Sequence, residues 1–203
     1  IKPPAPAAYS HQFHPTAQLF GAGAIRATLD LPPYSTHTPW LALSGEAAVT
    51  AGDAQRFCAA YESAIDAIGT ASRGRGLYAG PGMSIKLSAL HPRFCRAQRA
   101  RVMAELTPKL LTLAQLAKGY DIGLAIDAEE ADRLELSLDV MDTLAARIAT
   151  RFPQWGGFGL AVQSYLTTAL AVVDEVAAIA RRHGLKFMVR LVKGAYWDGE
   201  VKR

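Results

Sequence analysis

The stretch Phe187–Trp197, FMVRLVKGAYW, is the most informative part of the sequence for the fold. Its first six residues alternate as in a strand, and both faces are largely apolar, as in a parallel strand covered on both sides. Arg190 is the exception, because a guanidinium inside such a strand is costly unless it meets an acidic or polar partner. Lys193, Gly194 and two aromatic residues follow. This ending predicts either a site for an anionic or electron-rich flat ligand, or a core strand that runs into an exposed basic turn.

Composition narrows the class of protein. The 203 residues are 50% hydrophobic, which is enough for one globular domain with a core. We expect no membrane span and no signal peptide, because no apolar run is long enough and the start is not a charged segment followed by an apolar one. Cys58 and Cys95 lack metal-ligand spacing, so we expect no metal site and a cytoplasmic, reducing compartment. The net charge of +4 comes from scattered arginines, which argues against nucleic-acid binding.

The chain divides at Trp40. Residues 1–39 are proline-rich and nearly uncharged, which predicts an irregular segment. From residue 40 onward, strands alternate with helices that are long enough for right-handed crossovers. Five strands are predicted: 40–43, 83–90, 121–127, 157–163 and the stretch quoted above. Four helices are predicted: one that begins after Thr50, one at 96–118, one with Glu129 and Glu130 in its first turn, and one at 167–183.

Local signals define several helix features. Thr50 and Asp53 form a capping box, and the helix that they begin is predicted to stop at Gly69. Pro108 is predicted to kink or divide the second helix. In the last helix, Leu170 is predicted to face inward together with a stripe of valines and alanines.

Two α/β architectures agree with this order: an open doubly wound sheet, or part of a (β/α)8 barrel. No G-x-G-x-x-G follows an early strand, which weakens the dinucleotide-binding interpretation. Lys86, Asp127, Gln163 and Arg190 lie within or at the end of successive strands. Barrel enzymes build their sites at that C-terminal rim, so the pattern favours a partial, TIM-like (β/α)8 barrel.

Three long motifs carry a family resemblance: SIKLSALHPR at Ser84–Arg93, DIGLAIDAEEADRLE at Asp121–Glu135 and VRLVKGAYWD at Val189–Asp198. From Gly45 to Arg203 the chain resembles the proline dehydrogenase domain of the bacterial bifunctional proline utilization A flavoproteins. The resemblance implies a (β/α)8 barrel that holds FAD at its C-terminal rim. It also implies oxidation of L-proline to 1-pyrroline-5-carboxylate, with electrons passed on to a membrane quinone.

The resemblance also implies roles for single residues. Lys86 would bind the proline carboxylate, Asp127 would line the site near the flavin, and Tyr196 would wall the proline pocket. Arg190 would reach flavin N5, where the hydride arrives and negative charge develops. The remaining FAD contacts would be Ala161, Val162, Gln163, Val192, Gly194, Ala195 and Trp197.

Each of these residues also has a plainer interpretation. Lys86 could be a surface lysine, and Asp127 could be only the N-cap of the third helix. Gln163 could pair with loop backbone. The two aromatic residues, Tyr196 and Trp197, could belong to the core.

The sequence departs from the family pattern at both ends. Residues 40–44, WLALS, do not resemble the family's first strand, and Arg203 follows the fifth strand, whereas a complete barrel takes about 250 residues. We therefore expect residues 40–203 to form strands 1–5 with their helices. Alone, this fragment is expected to bind FAD weakly, to be inactive and to associate with itself through open sheet edges. Peripheral membrane association is expected only for a full-length protein.

Two other functions remain open. One is a Schiff-base lyase barrel with Lys86 or Lys193 as the nucleophile. The other is an inactive truncated product, or a module whose missing strands come from a partner.

Overall fold

A computed structural model describes residues 47–194, 196 and 200, together with the backbone of residues 40–42. Predictions for residues 1–39, Ala195 and Trp197 lie outside these residues. The elements, in chain order, are β1 (Trp40–Ala42), α1 (Ala51–Ser72), α2 (Gly76–Ala79), β2 (Gly82–Ile85), α3 (Leu87–Leu90), a 3-10 turn (Arg96–Gln98), α4 (Arg99–Gly119), β3 (Gly123–Ile126), a second 3-10 turn (Ala131–Arg133), α5 (Leu134–Arg151), β4 (Phe158–Gln163), α6 (Ala169–His183) and β5 (Met188–Val192).

The five strands form one parallel sheet in the order β1-β2-β3-β4-β5. Strands that are neighbours in the sequence are therefore neighbours in the sheet. A doubly wound sheet reverses its strand order at a switch point, and the described sheet has no such reversal. The long helices also pack in sequence order, α1 on α4, α4 on α5 and α5 on α6.

The core lies between this helix layer and one face of the sheet. Alternate strand residues, large and apolar, point into it: Met83, Ile85, Leu124, Ile126, Phe158, Leu160 and Val162. The other face of the sheet carries the small and polar residues of the same strands, among them Ser84, Ala125, Gly159, Ala161 and Gln163. We call this second face the polar face.

Helix α1 confirms one local prediction and corrects another. The capping box is present: Asp53 N–H donates to Thr50 Oγ1 at 3.1 Å, and Thr50 N–H donates to Asp53 Oδ2 at 2.9 Å. The predicted stop at Gly69 is wrong, because α1 continues to Ser72 and ends at Arg73, whose φ is +51°. Gly69 has a packing role instead. A Cβ there would lie 2.2 Å from Cγ of Tyr120.

Other boundaries also differ from the prediction. The second strand ends at Ile85, and the short helix α3 occupies the rest of the predicted strand. Pro108 lies inside α4 without dividing it. Leu170 is 77% exposed rather than inward-facing, because it stands on the solvent side of the first turn of α6. Among the described helices, none is long and apolar enough to cross a membrane.

One face of strand β5, the face that carries Val189 and Leu191, is more exposed to solvent than the sequence predicted. Val189 and Leu191 are 42% and 69% exposed, although the sequence predicted that both faces would be covered. Helix α6 packs against β4, which leaves this face of β5 open in the described part of the chain. Phe187 still reaches the core, with its ring edge-on to Phe158 at a centroid distance of 5.5 Å.

Candidate active site at the carboxyl ends of the strands

Three strands bring an arginine, an aspartate and a serine together on the polar face. Arg190 Nη2 donates to Asp127 Oδ1 at 2.6 Å and also to the hydroxyl oxygen of Ser84. That hydroxyl donates in turn to Asp127 Oδ1. The partners stand 43, 63 and 106 residues apart in the sequence. The costly guanidinium of β5 thus has the acidic and polar partners that its place in a strand requires.

Asp127 occupies the residue directly after β3, and its backbone N–H donates to the carbonyl of Ile85 at 2.8 Å. The parallel ladder therefore continues for one residue and fixes the direction of the carboxylate. The plainer interpretation, that Asp127 only caps the third helix, is wrong, because α5 begins at Leu134. For the same reason Glu129 and Glu130 lie in the connecting loop and not in the first turn of a helix.

Glu129 is a buried carboxylate that the sequence placed in a first helical turn and not in the site. It accepts hydrogen bonds from the backbone N–H of Ser88 at 3.0 Å, from the Ser88 hydroxyl, and from Arg133 Nη1 at 2.9 Å. Its side chain is only 2% exposed, so these bonds replace its hydration. Glu129 thereby ties the loop after β3 to helix α3. Its only sequence signal was its place two residues after Asp127.

Gln163 ends β4 and faces the same loop. Its Nε2 donates to the carbonyl of Glu129 at 2.8 Å, which is the loop-backbone pairing that the plainer interpretation anticipated. This bond directs the side-chain oxygen away from the loop, and a Cβ on Gly194 would lie 3.3 Å from it. In the ladder Gln163 pairs with Val192, and Ala161 pairs with Arg190. Val162 points the opposite way, into the core, so only its backbone faces this edge.

Lys86 stands at the end of β2, in extended conformation, and Ser84 precedes it by two residues on the same face. Its backbone N–H donates to the hydroxyl of Tyr61 at 3.0 Å. Tyr61 belongs to α1, and burial raises the pKa of its hydroxyl. Among the described residues, no acidic partner holds the Lys86 ammonium. Lys193, the other lysine considered as a nucleophile, is exposed.

Tyr196 lies in the segment after β5 and is partly buried. Burial raises the pKa of Tyr196 to about 12, and the carboxylates of Glu130 and Glu129 add to the effect. The hydroxyl is therefore neutral at ordinary pH. Gly194, two residues before Tyr196, has a φ of +126°, which only glycine adopts readily. In the described ranges, no group of three or more metal-ligating side chains converges.

The matching family model is described as proline dehydrogenase, and it covers residues 33–203. The chain belongs to the proline dehydrogenase family. This membership confirms the resemblance drawn from the three motifs, and it does not favour the Schiff-base lyase alternative.

The chain is also similar to part of each of several much longer proteins. It is 55% identical over 159 residues to the bifunctional protein PutA of Salmonella typhimurium, covering 78% of this chain and 12% of that protein. It is 57% identical over 154 residues to the PutA of Rhizobium meliloti, covering 76% of this chain and 12% of that protein. The chain thus spans about an eighth of the curated relatives that it matches.

Solved structures agree with the fold. A crystal structure of a Bradyrhizobium japonicum proline utilization A variant matches with a TM-score of 0.78 and 54% identity, covering 85% of this chain and 17% of that one. The proline utilization A of Bdellovibrio bacteriovorus, inactivated by N-propargylglycine, matches with a TM-score of 0.69 and 25% identity, covering 78% and 18%.

Proposed function

We propose that this chain forms part of the site at which an FAD-dependent proline dehydrogenase oxidises L-proline to 1-pyrroline-5-carboxylate. The observation that carries the proposal is the Arg190–Asp127–Ser84 cluster, a cation fixed at the carboxyl ends of parallel strands in a chain of this family. Ligands of open and closed parallel sheets bind at that edge.

We propose that the sheet is part of a (β/α)8 barrel, with residues 40–203 supplying strands 1–5 and residues 1–39 preceding it. The consecutive strand order and the single helix layer support this architecture. So does the polar face, because its small residues leave room for side chains from the rest of a barrel.

The residues at the edge suit a flavin. Arg190 supplies a fixed positive charge, Gln163 supplies an amide, and Gly194 lets the chain turn without a side chain. We propose that they hold FAD together with Asp127, Ala161, Val192 and the backbone of Val162, and that Ala195 and Trp197 complete this set. When bound, FAD supplies the hydride acceptor, N5 of its ring.

The chain's own groups would then divide the remaining work. The Lys86 ammonium binds the proline carboxylate, and Tyr196 walls the pocket as a neutral phenol. The Arg190 guanidinium would stabilise the negative charge that the flavin gains as proline is oxidised. Asp127 and Ser84 keep that guanidinium in one orientation, so no reorganisation is needed during the reaction. Proline must lose its ammonium proton first, so we expect the rate to rise with pH.

We also propose the wider context. A full-length protein would pass electrons to a membrane quinone, act in the cytoplasm and associate peripherally with the membrane. The isolated chain would associate with itself, since the exposed Val189 and Leu191 extend an apolar surface along the outer strand β5. Sedimentation of the chain at increasing concentration tests this association, and a monomer throughout would contradict it.

A flavin titration tests the function. We expect the chain to quench FAD fluorescence saturably but weakly, and we expect anaerobic L-proline to leave the flavin bound to this fragment unbleached. Arg190→Met should weaken FAD binding about tenfold, the value of one hydrogen bond to a charged group. Arg99→Met is the matched control, because Arg99 also binds an aspartate, Asp139, but on the outer helices.

Equal FAD binding by wild type and Arg190→Met would contradict the proposed site. Borohydride trapping of a carbonyl compound on Lys86 or Lys193 would support the lyase instead.

A further inference from the structure

The ring of Tyr165 lies directly on the backbone of Gly194. Tyr165 follows Gln163 by two residues, in the loop after β4. A Cβ on Gly194 would lie 2.1 Å from Tyr165 Cδ1 and 2.3 Å from Cε1, which no side chain could tolerate without moving the ring. The segment after β5 therefore rests on the loop after β4 at a place where only glycine permits contact.

The hydroxyl of Tyr165 extends this contact to a third loop. It donates to Oε2 of Glu200, and the other oxygen, Oε1, accepts from the backbone N–H of Ala131 at 2.6 Å. Ala131 follows Glu129 in the loop after β3. The N–H of Glu200 donates to the carbonyl of Tyr196 at 3.1 Å, so Glu200 is also bonded to the backbone of Tyr196.

The hydroxyl is in the right protonation state for this role. Burial raises the pKa of Tyr165 to about 12, and the Glu200 carboxylate adds to the effect. The phenol therefore remains a donor at any pH at which the protein would be assayed. The Glu200 carboxylate, with one donor on each oxygen, is held from both sides.

From this geometry we infer that Tyr165 and Glu200 are positioning residues, which hold the segment containing Gly194 and Tyr196 against the loops after β3 and β4. Neither residue is assigned a contact with substrate or cofactor. The inference rests on the proposed function only where it identifies the held segment as part of the proline and FAD site.

The chain contains a matched control for this arrangement. Tyr120 also lies on a glycine, Gly69, and its hydroxyl also donates to a carboxylate, Oδ1 of Asp66, at 3.1 Å. Tyr120 comes between α4 and β3, and therefore at the opposite end of the sheet. A general effect of losing a tyrosine hydroxyl should appear in both places, whereas a positioning effect should appear only at Tyr165.

The experiment compares Tyr165→Phe, Glu200→Ala, Glu200→Gln and Tyr120→Phe in the full chain. Backbone hydrogen exchange of residues 193–197 is measured without cofactor, and FAD affinity is measured separately by fluorescence. Tyr165→Phe and Glu200→Ala should each speed exchange of this segment about tenfold, as expected for loss of a hydrogen bond to a charged group. Both should weaken FAD binding at least about threefold, because FAD must then order a segment that is already held in place in the wild type.

Glu200→Gln should restore most of the protection. Its amide oxygen still accepts from the Ala131 N–H, and its NH₂ group can donate to the Tyr165 oxygen. Tyr120→Phe should lower the unfolding midpoint while leaving exchange of residues 193–197 and FAD affinity unchanged.

Unchanged exchange of residues 193–197 in both Tyr165→Phe and Glu200→Ala would overturn the inference, as would equal acceleration in Tyr120→Phe. Failure of the wild-type chain to bind FAD would count against the proposed function alone. Hydrogen exchange would still decide whether Tyr165 and Glu200 hold the segment.

Discussion

Two tyrosines in this chain make the same contact at opposite ends of the sheet. Tyr120 covers Gly69 and donates to Asp66; Tyr165 covers Gly194 and donates to Glu200. At the first contact, both partners of Tyr120 belong to one helix, α1. At the second, the glycine and the carboxylate both come after strand β5, and the carboxylate also accepts from the backbone N–H of Ala131 in the loop after β3.

The same local contact therefore has a different role at each end of the sheet. At the amino-terminal ends of the strands, Tyr120 joins two regular elements that already share a core. Its loss should therefore lower the free energy of unfolding of the whole domain. At the carboxyl ends, Tyr165 contacts Gly194 and Glu200, which lie outside the hydrophobic core cluster, so its loss should reduce local order. Four predictions, in order of expected effect, test this division.

The largest effect should come from filling the space beneath each ring. Gly69→Ala should destabilise the fold by about 2–3 kcal/mol, because its Cβ would meet the Tyr120 ring at 2.2 Å. Gly194→Ala should leave global stability within about 1 kcal/mol and instead free the segment 193–197. Urea unfolding followed by circular dichroism, together with hydrogen exchange, separates the two outcomes. A large global loss in Gly194→Ala would break the comparison.

The second prediction concerns paired aspartates. Asp127→Asn should cost about 2 kcal/mol, since it removes the charge that Arg190 faces inside the sheet. Asp139→Asn is the control. Asp139 accepts from Arg96 and Arg99 at 2.6 Å in each case, but on an exposed surface, so we expect a loss below about 1 kcal/mol. Similar losses in urea unfolding would show that the polar face is no different from the surface.

The third prediction separates position from role. Thr50 caps α1 at the end of the sheet that also carries the candidate site, but it has no contact with Tyr165 or Glu200 among the described residues. Thr50→Ala should cost about 1 kcal/mol of global stability by loss of the capping box. Exchange of residues 193–197, measured by mass spectrometry, should not change. Faster exchange there would mean that any change at this end loosens the segment.

The smallest effect should appear with pH. Burial lowers the pKa of His91, although the nearby Glu105 carboxylate opposes the shift. The folded state therefore favours neutral His91, whose Nδ1 accepts from the Arg93 N–H at 3.1 Å. This contribution is complete above the unfolded pKa of about 6.5 and is lost as the pH falls below it.

We therefore expect the wild-type chain to lose up to about 1 kcal/mol more stability than His91→Asn between pH 7 and pH 5. The asparagine oxygen can accept from the same N–H without titrating. Urea midpoints at the two pH values measure the difference. Equal losses of stability in the two proteins would show that protonation of His91 does not cause the loss at low pH and that another group must be responsible.

Much of the fold could be predicted from short-range patterns. The strand and helix order, the Thr50–Asp53 capping box and the ending of α6 at Gly184 all follow from interactions among residues close in sequence. Short-range patterns gave a wrong prediction at Gly69. This glycine was predicted to end α1, but it lies inside the helix and packs against the ring of Tyr120. The patterns also failed after Ile85, where the short helix α3 replaces the end of the predicted strand.

The candidate site was predicted less evenly. Lys86, Asp127, Gln163 and Arg190 could be named because polar residues at successive strand ends are conspicuous, and their roles in catalysis remain predictions. Four further residues were not named as site residues, since serines, acids and aromatics beside loops are common: Ser84, Glu129, Tyr165 and Glu200. Only their long-range hydrogen bonds, made across 34 to 106 residues of sequence, distinguish them.

The amino-acid sequence alone was enough to predict the family, the order of elements and the need of Arg190 for a partner, because alternation, caps and the cost of a buried charge act within a single segment. Tertiary structure decided which acid and which hydroxyl meet that charge, and which glycine lies under which ring. Those choices depend on strand register and on bringing distant loops together. The free energy that offsets the entropy of that closure comes from the whole core, and no short stretch encodes it.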